Sequence, residues 1–218
     1  MTKRVNHRDF SGQNSLPGSS QDARLRIIGG KWRGRQIRYS GDPITRPMKD
    51  NIREAVFNLI GGWIPGKLAI DLFAGTGAIG LEALSRGAAH AILVERHFAT
   101  AKVIEQNVQN LAATPQATVV MSDTFFWARQ FLKHSPPMSP PWAIFCSPPY
   151  SLYEERLDEM LQLINSLLQA APNDSVFVVE SDARFDSNNL PDPAKWRIRE
   201  YAPALIHVWR PTVVDPQE

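Results

Sequence analysis

Several residue types and patterns are scarce in this chain. Cysteine occurs once in 218 residues, as Cys146, which excludes an internal disulfide framework and favours a reducing cytoplasm. Five scattered histidines and one thiol lack the spacing of metal ligands, so we expect no bound metal. No apolar run reaches the ~18–20 residues of a membrane span, and residues 1–22 lack the apolar stretch of a secretory signal. The composition, 43% hydrophobic, therefore predicts a cytoplasmic globular protein with one sizeable core and no membrane association.

Positive charge is concentrated near the N-terminus. Residues 24–53 contain nine Arg and Lys residues against two Asp residues, a net charge of +7, while the whole chain carries +2 and the remainder therefore −5. Such asymmetry is typical of proteins that meet a polyanion with one end of the molecule. From charge alone, a solvated surface hairpin is an equally good interpretation.

Composition divides the chain into three regions. Residues 1–23 are polar and rich in Ser, Asn and Gly, which predicts a disordered tail. In residues 24–62, "RLRIIGGKWRGRQIRY" predicts a small basic β element, and "MKDNIREAVFNLIGG" has the apolar spacing of a helix that two glycines end. Residues 63–218 form the main domain, to which this helix is expected to link the basic element.

In the main domain, strand-like and helix-like runs alternate. The apolar runs "LAIDLF", "HAILVE", "ATVVM", "WAIFC" and "SVFVVE" are interleaved with amphipathic segments, which predicts a mostly parallel sheet covered on both faces. The last two runs, "WRIREY" and "ALIHVWR", are separated only by Ala202 and Pro203. Because no crossover helix fits between them, they are expected to form an antiparallel hairpin at the edge of a seven-stranded sheet.

A glycine-rich turn follows the first strand of this domain. "AIDLFAGTGAIG" holds Gly75, Gly77 and Gly80 in G-x-G-x-x-G spacing between a strand and a helix. This spacing lets the backbone turn sharply and approach an adenosine-containing ligand. Glu95 ends the next strand, where a carboxylate binds ribose hydroxyls, and Asp123 ends the strand after that, within reach of an adenine amine.

The charge beside this turn indicates which cofactor it takes. Asp71 lies four residues before Gly75, and a carboxylate there would repel the pyrophosphate of a dinucleotide. S-adenosylmethionine, which carries an amino group and a sulfonium, fits better and is the predicted cofactor. Phe73, Arg96 and Thr124 adjoin these motifs and are expected to line its site.

The stretch "WAIFCSPPYSLY" ends a strand at the same edge of the predicted sheet. Pro148 and Pro149 stiffen the loop and leave carbonyl groups free as acceptors. The Ser147 hydroxyl and the Pro148 carbonyl could accept the two hydrogens of an exocyclic amine and aim its nitrogen at a methyl group. Tyr150 offers a ring on which an extruded base stacks. These four residues form the predicted catalytic loop of an amino-methyltransferase.

Longer segments resemble one family. "RIIGGKWRGRQI", "TRPMKDNIREAVFNLI", "DLFAGTGAIGLEALSRGA" and "VERH" are similar to the RsmD family of bacterial methyltransferases. The resemblance implies a Rossmann-like class I methyltransferase fold and methyl transfer to N2 of guanine 966 in 16S rRNA within the assembling 30S subunit, by a monomer. It also implies that the basic element holds the RNA. The expected RNA-binding residues are Arg24, Arg26, Lys31, Trp32, Arg33, Arg35 and Arg46.

One departure from the family leaves the substrate base open. Many RsmD members carry aspartate where this chain has Ser147, and serine also occurs there in enzymes that methylate N4 of cytosine in DNA. A DNA amino-methyltransferase acting on cytosine N4 or adenine N6 is therefore one alternative. A nicotinamide-dependent oxidoreductase, from the glycine spacing alone, and a non-catalytic RNA-binding assembly factor are two others.

Overall fold

The computed structural model describes residues 24–39, 48–134 and 140–210. The strands are β1 Arg24–Arg26, β2 Gln36–Arg38, β3 Leu68–Asp71, β4 His90–Glu95, β5 Ala117–Met121, β6 Trp142–Cys146, β7 Val176–Asp182, β8 Trp196–Tyr201 and β9 Ala204–Trp209. The α-helices are α1 Asp50–Ile60, α2 Ala78–Ser85, α3 Phe98–Asn110, α4 Thr124–His134, α5 Leu152–Glu155 and α6 Leu157–Ala170. Short 3-10 helices span Gly30–Trp32, Gly61–Trp63, Thr114–Gln116, Ser187–Asn189 and Pro193–Lys195.

Seven strands form one sheet in the order β5-β4-β3-β6-β7-β9-β8. The first five are parallel, and β9 lies antiparallel to both β7 and β8. All five residues of β6 are buried, because helices cover both faces of the central strands. This confirms the predicted fold, including the edge hairpin. The carboxyl ends of β3, β4, β5 and β6 therefore meet at one edge of the sheet, where open α/β sheets bind ligands.

The N-terminal hairpin, β1 paired with β2, packs on the main domain. Ile27 and Ile37 are each 1% exposed and lie in one core cluster with Leu81 of α2 and with α1 residues such as Phe57. The hydrophobic face of α1 thus lies in the same core as the hairpin and the sheet. Gly61 ends α1 with a positive φ of 53° that suits glycine.

A buried carboxylate on α2 anchors the hairpin. Glu82 is fully buried and accepts the backbone N–H groups of Ile28 and Gly29, each at 2.7 Å, and the Arg86 Nε at 2.7 Å. Ser85, one turn later, accepts the Trp32 N–H at 2.9 Å. These contacts satisfy backbone groups of the hairpin turn, and they hold it against the C-terminal end of α2.

Within residues 24–39, 48–134 and 140–210, no helix has the length and apolarity needed to span a membrane. In the same ranges, no group of three or more His, Cys, Asp or Glu residues is arranged to hold a metal ion.

Candidate active site

A cavity of about 450 Å³ opens at the carboxyl edge of the sheet. Its volume falls within the range of small-molecule sites, roughly 300–1,000 Å³. The predicted cofactor residues Phe73, Gly75, Glu95, Arg96, Asp123 and Thr124 line it together with the whole predicted catalytic loop, Ser147, Pro148, Pro149 and Tyr150. The motifs at Gly75 and Ser147, which are 72 residues apart in the chain, thus line the same cavity. The sheet topology explains this, because β3 and β6 are parallel neighbours and their carboxyl ends lie side by side.

The glycine turn is held by a carboxylate from the neighbouring strand. Gly75 and Gly77 have φ values of 50° and 75°, which residues with a Cβ rarely adopt. The Gly75 N–H donates to Glu95 Oε2 at 2.9 Å, and the His97 N–H donates to Oε1 at 2.8 Å. Since each carboxylate oxygen can accept a second hydrogen bond, Glu95 both shapes the turn and keeps capacity for ribose hydroxyls.

Asp71 supports the turn from beneath. It is 1% exposed, its Oδ2 accepts the Gly80 N–H at 3.1 Å, and its buried Oδ1 has no hydrogen-bond partner. Burial raises the pKa of Asp71 to about 7, against the opposing effect of the Gly80 hydrogen bond. Asp71 and Gly77 are not among the described residues that line the cavity. Both therefore lie one layer behind its surface.

Another wall of the cavity, next to the carboxyl end of β5, contains Asp123 and an aromatic pair. Asp123 is exposed, and its Oδ1 accepts the Phe126 N–H at 3.0 Å, which caps the start of α4. Phe73 meets Phe125 edge to face, with ring centroids 6.2 Å apart. The Arg156 guanidinium lies 4.0 Å from the centroid of the Phe125 ring and also lines the cavity. No motif in the sequence indicated Arg156 as a residue of this site.

Glu180 also lines the cavity and was not predicted from the sequence. It lies in β7, is 7% exposed, and accepts hydrogen bonds from the Ser147 hydroxyl and, at 2.7 Å, from the Tyr150 hydroxyl. The Tyr153 hydroxyl donates to its backbone carbonyl at 2.9 Å. Its signal was present, because Glu180 follows the apolar run "SVFVV" as Glu95 follows "HAILV". A carboxylate directly after an apolar strand thus indicates a position at this edge of the sheet for Glu180 as it does for Glu95.

The tip of the basic hairpin lies at the opposite edge of the sheet from the cavity. Lys31 Nζ donates to Gln116 Oε1 at 2.8 Å, and Arg35 Nη2 donates to the Asn110 carbonyl at 3.1 Å. Asn110 ends α3, whose first residue, Phe98, follows the cavity wall. At 1.5 Å per residue, α3 separates the two by about 18 Å.

The other predicted RNA contacts are distributed along the hairpin. Lys31, Arg33 and Arg35 are exposed, Trp32 is half-buried under the Lys31 ammonium, and Arg26 pairs with Asp50 at 3.0 Å. Arg24 begins β1, and Arg46 lies outside the described residues. The hairpin therefore exposes several cations, of which Arg26 is already paired with a carboxylate.

Comparison with known proteins gives consistent relatives. The family model described as "Conserved hypothetical protein 95" matches residues 25–208. Ribosomal RNA small subunit methyltransferase D of Escherichia coli K12 is 34% identical over 183 residues, which cover 84% of this chain and 86% of that protein. The same-named protein of Haemophilus influenzae is 32% identical over 128 residues, or 58% of this chain and 64% of that one.

Solved structures agree with these relatives. The structure of yhhF from Escherichia coli, which is named as a methyltransferase, is 31% identical with a TM-score of 0.68, covering 86% of this chain and 98% of that one. An RNA methyltransferase from Salinibacter ruber, bound to S-adenosylhomocysteine, is 15% identical with a TM-score of 0.55, covering 79% and 98%. At that identity the second structure shows a shared fold only.

Proposed function

The chain belongs to the conserved hypothetical protein 95 family, which confirms the resemblance to RsmD, and from this membership we propose that it methylates the exocyclic N2 amine of guanine 966 in 16S rRNA, with S-adenosylmethionine as the methyl donor. The observation that carries the proposal is the shared cavity. The glycine turn with Glu95 and the Ser-Pro-Pro-Tyr loop line one space, as a methyl donor and an acceptor base require.

The residues of the cavity fit the cofactor. Glu95 retains acceptor capacity for ribose hydroxyls, and the backbone of the Gly75 turn lies at the surface of the cavity without a Cβ. Asp123 and the Phe73 ring would hold the adenine. When bound, S-adenosylmethionine supplies a methyl group on a positively charged sulfur.

The Ser-Pro-Pro-Tyr loop orients the amine. The lone pair of an exocyclic amine is delocalised into the base, so acceptors for its two hydrogens concentrate electron density on nitrogen. The Ser147 hydroxyl oxygen and the Pro148 carbonyl are these acceptors, and Tyr150 stacks on the base. The Pro149 carbonyl is already used, since it accepts the Leu152 N–H at 3.0 Å where α5 begins. The loop is thereby fixed to α5.

RNA would approach along the hairpin. Lys31, Arg33 and Arg35 would bind phosphates at the far edge of the sheet, while the exposed Arg96 and Lys49 stand at the cavity. In this proposal residues 24–62 form the RNA-contacting element, residues 63–218 form the methyltransferase domain, and residues 1–23 remain a predicted tail. The enzyme acts as a monomer on the assembling 30S subunit in the cytoplasm.

Mapping of the methylated base tests this proposal. Purified protein and labelled S-adenosylmethionine are incubated with small subunits lacking the modification, with bare 16S RNA and with duplex DNA, and nucleoside products are identified by mass spectrometry. We expect N2-methylguanosine at one site in the subunit RNA. Label in DNA as methylcytosine or methyladenine would favour the DNA-enzyme alternative, and RNA binding without transfer would favour the assembly factor.

A further inference from the structure

The corner of the cavity opposite the glycine turn contains two hydroxyl groups that share one carboxylate. Ser147 Oγ donates to Glu180 Oε2, and Tyr150 OH donates to Glu180 Oε1 at 2.7 Å. Ser147 is half-buried, and Glu180 is 7% exposed while still lining the cavity. The Tyr153 hydroxyl donates to the Glu180 backbone carbonyl at 2.9 Å, which fixes the strand against α5. Each carboxylate oxygen thus has its own hydroxyl partner.

This arrangement fixes where the hydrogen of each hydroxyl group lies. A hydroxyl has one hydrogen and two lone pairs, whereas an ionised carboxylate has only lone pairs. The hydrogens of Ser147 and Tyr150 must therefore lie in the bonds to Glu180. Only lone pairs of Ser147 Oγ are then directed at a ligand in the cavity, while the Tyr150 hydroxyl is held by Glu180. Ser147 Oγ becomes an obligate acceptor, although a serine hydroxyl can ordinarily donate as well.

We propose that Glu180 is a positioning residue that makes this corner selective for an exocyclic amine, because it orients the Ser147 hydroxyl as an acceptor and holds the Tyr150 ring beside it. This inference rests on the proposed methyl transfer and adds its selectivity. An amino group donates one hydrogen to Ser147 Oγ and the other to the Pro148 carbonyl, whereas a carbonyl oxygen at the same position would face lone pairs. A buried polar group that a substrate leaves unpaired discriminates strongly against that substrate.

The carboxylate also supplies charge through the hydroxyl. Hydrogen bonds to a charged group are stronger than those between neutral groups, and chains of hydrogen bonds polarise one another. The electron density on Ser147 Oγ therefore rises, because its hydrogen is held by the Glu180 carboxylate. In this way a serine can accept from the amine more strongly than an isolated hydroxyl would.

The variant Glu180→Gln tests the orientation with little change of shape. A glutamine amide has one acceptor and one donor end, so it can accept from only one hydroxyl and must donate to the other. Ser147 Oγ then loses the charged partner that strengthens its lone pairs, and where the amide donates to it, its hydrogen turns toward the substrate. We expect kcat to fall by roughly tenfold or more. The KM for S-adenosylmethionine should stay within about twofold, because Gly75 and Glu95 are untouched.

Rescue by a second substitution separates orientation from structure. In Ser147→Asp with Glu180→Gln, the carboxylate at position 147 offers only lone pairs to the amine, and the glutamine amide can donate to it. We expect most of the lost kcat to return. Ser147→Asp alone opposes two carboxylates and should be slower than the double variant. Glu154→Gln is the matched control, because Glu154 is an exposed carboxylate on α5 that pairs with Arg184 and does not line the cavity.

The outcomes distinguish this inference from the proposed function. If the unaltered enzyme transfers no methyl group to small-subunit RNA, the proposed function fails and the inference fails with it. If the unaltered enzyme is active but Glu180→Gln keeps full kcat, only the role of Glu180 is refuted. Loss of kcat that the double variant does not restore also refutes it, because Glu180 would then serve the structure of the loop. Loss with restoration supports it.

Discussion

Gly30 and Gly34 form a matched pair that tests how the basic hairpin is attached. Both have positive φ values, 73° and 82°, so a side chain at either position is strained by the backbone alone, by about 1–2 kcal/mol. Their surroundings differ completely. A Cβ at Gly30 would lie 1.9 Å from the Ser85 carbonyl oxygen, and a Cβ at Gly34 would meet no atom within 4 Å.

The difference between the two alanine variants can be estimated from these contacts. The Ser85 carbonyl is backbone at the end of α2 and cannot rotate aside, so the hairpin itself must move. Overpacking of this kind costs about 1–3 kcal/mol beyond the shared strain. For a chain of this size, 1 kcal/mol shifts Tm by about 2–4 °C. Gly30→Ala should therefore melt about 2–12 °C below Gly34→Ala.

Thermal unfolding followed by circular dichroism, at equal protein and cofactor concentrations, measures this difference. Hydrogen exchange of the amides in residues 24–38 shows whether the hairpin opens locally before the sheet does. Gly30→Ala should accelerate exchange at Ile28, which donates to Glu82. Equal melting temperatures together with unchanged exchange in both variants would mean that the hairpin does not rest on Ser85, and the reasoning would be wrong.

Three further predictions concern charge. Glu82→Ala should lower the free energy of unfolding by about 3–5 kcal/mol, because it removes a buried carboxylate that faces the fully buried Arg53 guanidinium; in urea titrations the partly exposed Glu105→Ala should lose less than about 1 kcal/mol. Burial raises the pKa of Asp71 to about 7, so its protonated form is favoured by the folded state. The contribution of Asp71 to the free energy of unfolding is therefore fully present below about pH 4 and is lost as pH rises to about 7. Asp71→Asn should therefore gain Tm relative to the unaltered protein between pH 5 and 8. Neutralising Arg33 and Arg35 together should reduce the salt slope of RNA binding by roughly 1–2 units and leave cofactor affinity unchanged.

Each of these predictions has a contrary result. Equal losses in the two glutamate variants would show that Glu82 is not a buried anchor. Identical pH dependence with and without Asp71 would show that the pKa of its carboxyl is the same in the folded and unfolded states. A fall in cofactor affinity on neutralising Arg33 and Arg35 would place the RNA surface elsewhere, since both lie at the edge of the sheet remote from the cavity.

The fold could be predicted because its signals are local. Apolar runs, the G-x-G-x-x-G turn and the two-residue link at Ala202 determine strand type and connection almost without long-range information. The position of the catalytic loop beside Glu95 then follows from parallel strands sharing one edge. The cavity lining agrees with that expectation for Ser147 and Tyr150.

The anchoring of the hairpin could not be predicted in the same way. Glu82 and Ser85 lie in "GLEALSRG", where polar residues at these spacings are typical of the solvent face of a helix. Both are buried, at 0% and 4% exposed, because backbone groups more than 50 residues earlier in the chain need acceptors and donors there. Burial that depends on a distant partner has no periodic signature. The same reason hid the pairing of Glu180 with Ser147, 33 residues away.

The separation between the hairpin tip and the cavity limits the size of a good substrate. Arg35 contacts the last residue of α3 and Lys31 contacts Gln116 just beyond it, about 18 Å along that helix from its first residue, which follows the cavity-lining His97. A single nucleotide bound at Tyr150 cannot touch both, so phosphate contacts at the tip contribute only when the target base is part of a longer, shaped RNA. Because phosphate contacts position an RNA and carry no base information, the tip would select shape while the Ser147 corner selects the amine. Division of these tasks between opposite edges of one sheet is what an enzyme needs if it modifies one guanine of a folded ribosomal particle.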